Sequence, residues 1–115
     1  MIGDEPVVTT TTYEGTTVVR LRGDIDQDSA PLLVQVLTEA AASGAPRTLI
    51  DLSRTRFADS SVLHALLDAH KAHTAKGTAL VLAGPLQVAV RRLFDVTGTG
   101  AAFHIADTPE DAMTW

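Results

Sequence analysis

Apolar and polar positions along the chain change their period several times, and each change marks an element. From Val7 to Tyr13 the residues are Val, Thr and Tyr, all good strand formers, and the run Thr9 to Thr12 suits a partly solvated edge. Glu14-Gly15 signals a turn, and "TVVRL", Thr17 to Leu21, reads as a second strand. A gap that short closes only an antiparallel hairpin. Gly23-Asp24-Ile25-Asp26 then breaks the pattern. In "QDSAPLLVQVLTEAAASG", Leu32, Leu33, Val36, Leu37 and Ala40 recur at helical spacing and predict one apolar stripe. Asp28 or Ser29 is placed to cap this helix, Pro31 suits its first turn, and Gly44 stops it.

The second half alternates strands and helices. "RTLIDL", Arg47 to Leu52, and "ALVLAG", Ala79 to Gly84, are short, apolar and rich in strand formers, as buried strands should be. "SRTRFAD" reads as a loop between the first of these and a helix from about Ser60 to Lys76, which carries Leu63, Leu66, Leu67 and His70 on one face. "PLQVAVRRLFDVTG" begins with Pro and ends with Gly, as a helix with clean boundaries does. "AAFHIA" is a last short strand, and "TPEDAMTW" has Thr108 at a cap, Pro109 first in a short helix and Asp111 three residues after the cap. The predicted order is β-β-α-β-α-β-α-β-α. Right-handed crossovers make the later strands parallel, so the expectation is one α/β domain over residues 1–115, with a mixed, mainly parallel sheet of about five strands against about four helices.

Composition narrows the function. A chain of 115 residues is one domain's worth, with 45% hydrophobic and 20% charged residues, as in globular proteins. It has no cysteine, which removes disulfides and thiolate metal sites. No window holds the ~20 apolar residues of a membrane span, and "MIGDEPVVTT" lacks the basic start and apolar core of a signal peptide. A cytoplasmic protein without membrane insertion is expected. The net charge of −5 and the single basic doublet, Arg91-Arg92, argue against direct nucleic-acid binding.

Candidate chemistry is sparse. Asp59, Ser60 and His64 include the side-chain types of a hydrolase triad, but they are too local to serve as one and no G-x-S-x-G elbow surrounds them. His70 and His73, or His64 and Asp68, have spacings that place two ligands on a helix face. No third ligand follows, so His70 reads as a core or boundary histidine with one hydrogen bond and His64–Asp68 as a surface pair. Gly98 and Gly100 lack the long helix that a phosphate loop needs. No enzyme, metal or cofactor is expected. Asp24 and Asp26, on a strand-to-helix loop, suit a partner's base or a cation. Ser60 stands at a helix start. There Asp59, Ser60 or Ser61 can cap, and there a phosphate of about −1.5 to −2 charge is tolerated.

Three stretches resemble the anti-sigma factor antagonists, the small bacterial members of the STAS (sulfate transporter and anti-sigma factor antagonist) domain family. They are "RLRGDIDQDSAPLL", "TLIDLSRTRFADSSVLHALLDAHK" and "VRRLFDVTG", in the family's order over residues 16–100. The resemblance implies partner switching. The unphosphorylated protein binds an anti-sigma factor that is also a serine kinase, and a sigma factor is released. Phosphorylation of the serine matching Ser60 dissolves the complex, and a serine phosphatase resets it. Asp26 matches the loop acid at the partner contact and Asp59 the acid before the acceptor. The implied contact surface comprises Asp24, Asp26, Asp59, Ser61, Val62 and His64. Val62 and His64 stand where the family usually has Gly. Both favour helix over Gly and are expected to add bulk where a kinase docks on Ser60. The alternative is a constitutive STAS adaptor in a transporter or signalling complex, without phosphoswitching.

Overall fold

The computed structural model describes residues 7–115, and residues 1–6 of the expected domain lie outside them. The hairpin forms as read: β1 (Val7–Tyr13) and β2 (Thr16–Ile25) pair antiparallel through the turn at Glu14-Gly15, both of which have positive φ. β1 is an outer strand, with Thr9 to Thr12 exposed. After α1 (Ala30–Ala42) comes β3 (Arg47–Asp51), which pairs parallel to β2. α2 (Ser60–Ala75) leads to β5 (Ala79–Ala83), parallel to β3. α3 (Val88–Thr97) and a single 3-10 turn (Gly100–Ala102) lead to β6 (His104–Ala106), and α4 (Pro109–Met113) closes the fold.

Two expectations are corrected by one feature. Gly23-Asp24-Ile25 does not break β2, and "SRTRFAD" is not all loop. Thr55–Ala58 is a short strand, β4, paired parallel to the far end of β2, with a register shift between Gly23 and Asp24. β2 outruns β3, so its last residues would leave backbone groups unpaired, and β4 supplies their partners. Gly23 has φ +89°, a conformation glycine adopts freely, and its N–H donates to the Arg54 carbonyl. Among the described residues the sheet therefore has six strands, in the order β1-β2-β3-β5-β6, with β4 on β2.

The sheet's two faces are unequal. Val19, Leu21, Ile50, Leu80 and Leu82 pack against Leu33 and Leu37 of α1, Leu63 and Leu66 of α2, and Val90 and Phe94 of α3. Each such side chain, buried, contributes roughly 1.5–3 kcal/mol. Val18, Leu49, Val81, Ala83 and Ala106 turn to the other face, where Ala112 of the five-residue α4 covers part of them.

Local readings shift in detail. Leu32 is 49% exposed and lies off the buried stripe of α1. Ser29 is the N-cap of α1 without a side-chain bond; its backbone is already helical (φ −92°, ψ −15°) where a capping residue is usually extended, and the Asp26 carbonyl accepts the Ser29 and Ala30 N–H groups. Pro85 follows a cis bond and precedes α3, whose N-cap is Gln87. Gly98 ends α3 in the left-handed conformation, and Thr108 caps α4 by accepting the Asp111 N–H, both as expected.

Candidate functional site

The start of α2 is built around Asp59. Its backbone is extended, and its Oδ1 accepts the backbone N–H groups of Ser61 and Val62 at 3.0 and 3.3 Å. These are two of the donors that every helix start leaves unpaired. The Ser61 hydroxyl donates to the same oxygen, while Oδ2 accepts the Gln27 N–H at 3.1 Å. Desolvation works against the charge of this carboxylate. The hydrogen bonds from Ser61, Val62 and Gln27 outweigh it, and Asp59 is held below the ordinary carboxylate value.

Ser60 is left free by this arrangement. It is the first residue of α2, it is exposed, and its hydroxyl makes no hydrogen bond among the described residues. The cap is Asp59, so Ser60 stands beside the positive end of a sixteen-residue helix without being consumed by it.

The loop carrying the other acids lies alongside. β2–β4 pairing sets Asp24 opposite Phe57 and Ile25 opposite Ala58. Asp24 is gripped by Arg56 in a two-pronged ion pair, with Nε and Nη2 at 2.7 and 3.1 Å, and the Arg56 guanidinium lowers its pKa. Asp26 shapes its own loop, with Oδ1 accepting the Asp28 N–H at 3.0 Å. Asp26, Gln27, Asp59 and Ser60 are thus brought to one edge of the molecule.

The remaining candidates divide. Val62 is 1% exposed and belongs to the core, so its branched side chain neither stands over Ser60 nor offers itself to a partner. His64 is exposed one turn along α2, and no ion pair joins it to Asp68 among the described residues. His70 and His73 do not converge. His73 is buried, bonded through its ring nitrogens to the Ala69 carbonyl and the Thr48 hydroxyl. His70 packs edge-on against Phe103, and its Nδ1 is buried without the hydrogen bond expected of it. Among the described residues no group of three or more His, Cys, Asp or Glu is placed to hold a metal.

A surface that the sequence reading did not single out adjoins Asp59. Phe57 of β4 and Val88, Arg92 and Val96 of α3 line an open groove of about 1050 Å³ that ends at Ala58 and Asp59. Phe57 is 45%, Val88 76% and Val96 78% exposed. A contiguous apolar patch of this kind marks an interaction site more often than a bare surface does. Its signal was present in α3, where Val88, Arg92 and Val96 recur every four residues on the face opposite the buried Val90 and Phe94.

Comparison with known proteins agrees with this architecture. The STAS domain model matches residues 7–112. A search of curated proteins finds no match. Among solved structures, an anti-sigma factor antagonist from Mycobacterium paratuberculosis superposes with a TM-score of 0.87 at 29% identity, over 98% of this chain and 95% of that one. The Bacillus cell fate determinant SpoIIAA in its phosphorylated form gives a TM-score of 0.74 at 22% identity, over 94% and 97% of the two chains. The anti-sigma factor antagonist SpoIIAA in its unphosphorylated form gives 0.80 at 23%, over 93% of each. With the family model spanning nearly the whole chain and the same fold in these structures, the protein belongs to the STAS domain family.

Proposed function

We propose that this protein is an anti-sigma factor antagonist, which binds an anti-sigma factor with serine kinase activity, frees a sigma factor, and is switched off by phosphorylation of Ser60. The observation that carries the reading is the division of labour between Asp59 and Ser60. Asp59 does the capping, and the adjacent hydroxyl is exposed and unbonded at a helix N-terminus. A phosphate there adds about −1.5 to −2 charge without displacing any bond that holds the fold. Next to the ionised Asp59 it deepens the negative charge and the hydration of the contact surface, which is enough to expel a partner.

The partner surface on this reading runs from Asp26 and Asp59 through Ser60, Ser61 and His64 into the groove of Phe57, Val88 and Val96. Asp24 takes part with Arg56 as a preformed pair. In the cycle the kinase supplies the ATP and a serine phosphatase restores the free hydroxyl, so this chain acts as substrate and ligand, in the cytoplasm, and carries out no chemistry itself. The test is phosphorylation by the cognate kinase with ATP, mapped by mass spectrometry. Phosphate on Ser60 alone is expected, with Ser60→Ala still binding the kinase and Ser60→Asp binding poorly. Modification elsewhere, or a stable non-kinase partner indifferent to Ser60→Asp, would replace this reading with that of a constitutive adaptor.

A further inference from the structure

The sheet face that α4 covers only in part carries an open cleft. One row of residues in register crosses all five strands of the main sheet: Thr9, Arg20, Asp51, Ala83 and Ala106. Their neighbours Val18, Leu49 and Val81 pack beneath Ala112. The row itself lies at the carboxyl ends of the parallel strands β3, β5 and β6, and α4 is too short to close over it. Mainly parallel sheets usually have both faces covered, so an open polar stretch on one calls for a reason. Here the two alanines leave room, and Arg22, Arg54 and Glu110 wall a cleft of about 520 Å³ over Arg20 and Asp51.

Among the described residues, the charged groups that line the cleft are Arg20, Arg22, Arg54, Asp51 and Glu110, and their pairing is uneven. Asp51 spends Oδ1 on the Ser53 N–H and hydroxyl, at 2.9 and 2.6 Å, and offers only Oδ2 to Arg20, at a loose 3.7 Å. Arg20 makes one further bond, from Nη1 to the Thr11 hydroxyl at 3.3 Å. Arg54 has no side-chain hydrogen bond or ion pair among the described residues. Arg22 lines the wall and has a partner of its own. Guanidinium groups left partly unpaired in a concave site are matched by oxyanions, which accept their parallel N–H donors and gain from the focused field.

We propose that this cleft binds a small oxyanion, the phosphate or carboxylate group of a soluble metabolite, between Arg20 and Arg54. It lies on the sheet face opposite α1, α2 and α3, and shares no lining residue with the groove beside Asp59. The proposal is therefore independent of Ser60 phosphorylation.

The experiment is an NMR titration of the full chain with sodium phosphate and, separately, sodium succinate, against sodium chloride at equal ionic strength. Saturable shifts at the amides of Arg20, Ser53 and Arg54 are expected with one of the two anions, and which one identifies the group bound. Arg54→Ala combined with Arg20→Gln should weaken binding about tenfold or more, since both guanidinium forks are lost. Asp51→Asn should tighten it, because the competing carboxylate is gone. Ser60→Ala should leave it unchanged. The resonance dispersion of each variant reports its folding in the same spectra. Shifts no larger than those with chloride overturn the proposal, as do saturable shifts that survive loss of both arginines.

Discussion

The backbone N–H of Gln27 donates to Asp59 Oδ2 across 32 residues of sequence, at 3.1 Å. This bond joins the loop before α1 to the cap of α2, so the acids of one and the serines of the other form a single rigid edge. Asp59→Ala removes the cap and the tether together. Loss of a capping carboxylate typically costs about 1 kcal/mol, and up to about 2. The urea midpoint should fall accordingly, and the amide shifts of Gln27 and Asp28 should move although neither residue is altered. A stability loss with unchanged loop shifts would refute the tether.

The same carboxylate gives the edge a pH dependence. Its folded pKa lies below the ordinary value of 3.8, so its contribution is fully present above that value and is lost as pH falls through the folded pKa. Asp24, held down by Arg56, has the same sign. Stability should therefore decline on acidification below about pH 4. Asp59→Asn should lose less over that window than the parent does, since its cap cannot be protonated. Urea midpoints at pH 6 and pH 3 for both proteins test this, and equal declines would show that other carboxylates carry the effect.

What the sequence disclosed follows from how local each feature is. β3 and β5 are short continuous apolar runs, and the stripes of α1 and α2 repeat at helical spacing, so those elements were legible. β4 was not. Arg56 and Phe57 are both exposed, so the strand shows no alternation, and it exists because β2 overshoots β3. The helix start offered Asp59, Ser60 and Ser61 as equivalent caps. The extended backbone of Asp59 and the Ser61 and Val62 N–H groups that its Oδ1 accepts assign the role to Asp59. Val62 was read as an obstacle because it is a branched residue two positions past Ser60, but the helix turns it into the core with Leu63 and Leu66.

His73 and Thr48 make a second long-range link, buried between α2 and β3 at 2.9 Å. Thr48 is fully buried, so replacing it with Val keeps the shape and removes the hydroxyl that His73 Nε2 meets. A buried polar atom left without its partner costs about 1–3 kcal/mol. Thr48→Val should be destabilised by that amount, whereas His73→Leu in the Thr48→Val background should cost less than in the parent. Urea unfolding of the four proteins closes the cycle. An additive result would mean the two side chains act independently.

The groove and Ser60 are predicted to serve one partner. Phe57 and Val88 are exposed and contribute little to the core, so Phe57→Ala and Val88→Asp should leave the urea midpoint nearly unchanged. On the proposed function each should weaken kinase binding, Phe57→Ala by about 1–2 kcal/mol if the ring is an anchor in the partner's surface. Val88→Asp should cost more, because it buries a charge against an apolar contact. Phosphorylation of Ser60 must also fall in both variants when the kinase is below saturation, since docking precedes transfer. Titration calorimetry with the kinase, followed by initial phosphorylation rates at low and saturating kinase, separates the effects. Rates restored at saturation place the groove in docking. Unchanged affinity in both variants would confine the partner to the Asp59–Ser60 edge and leave the groove unused.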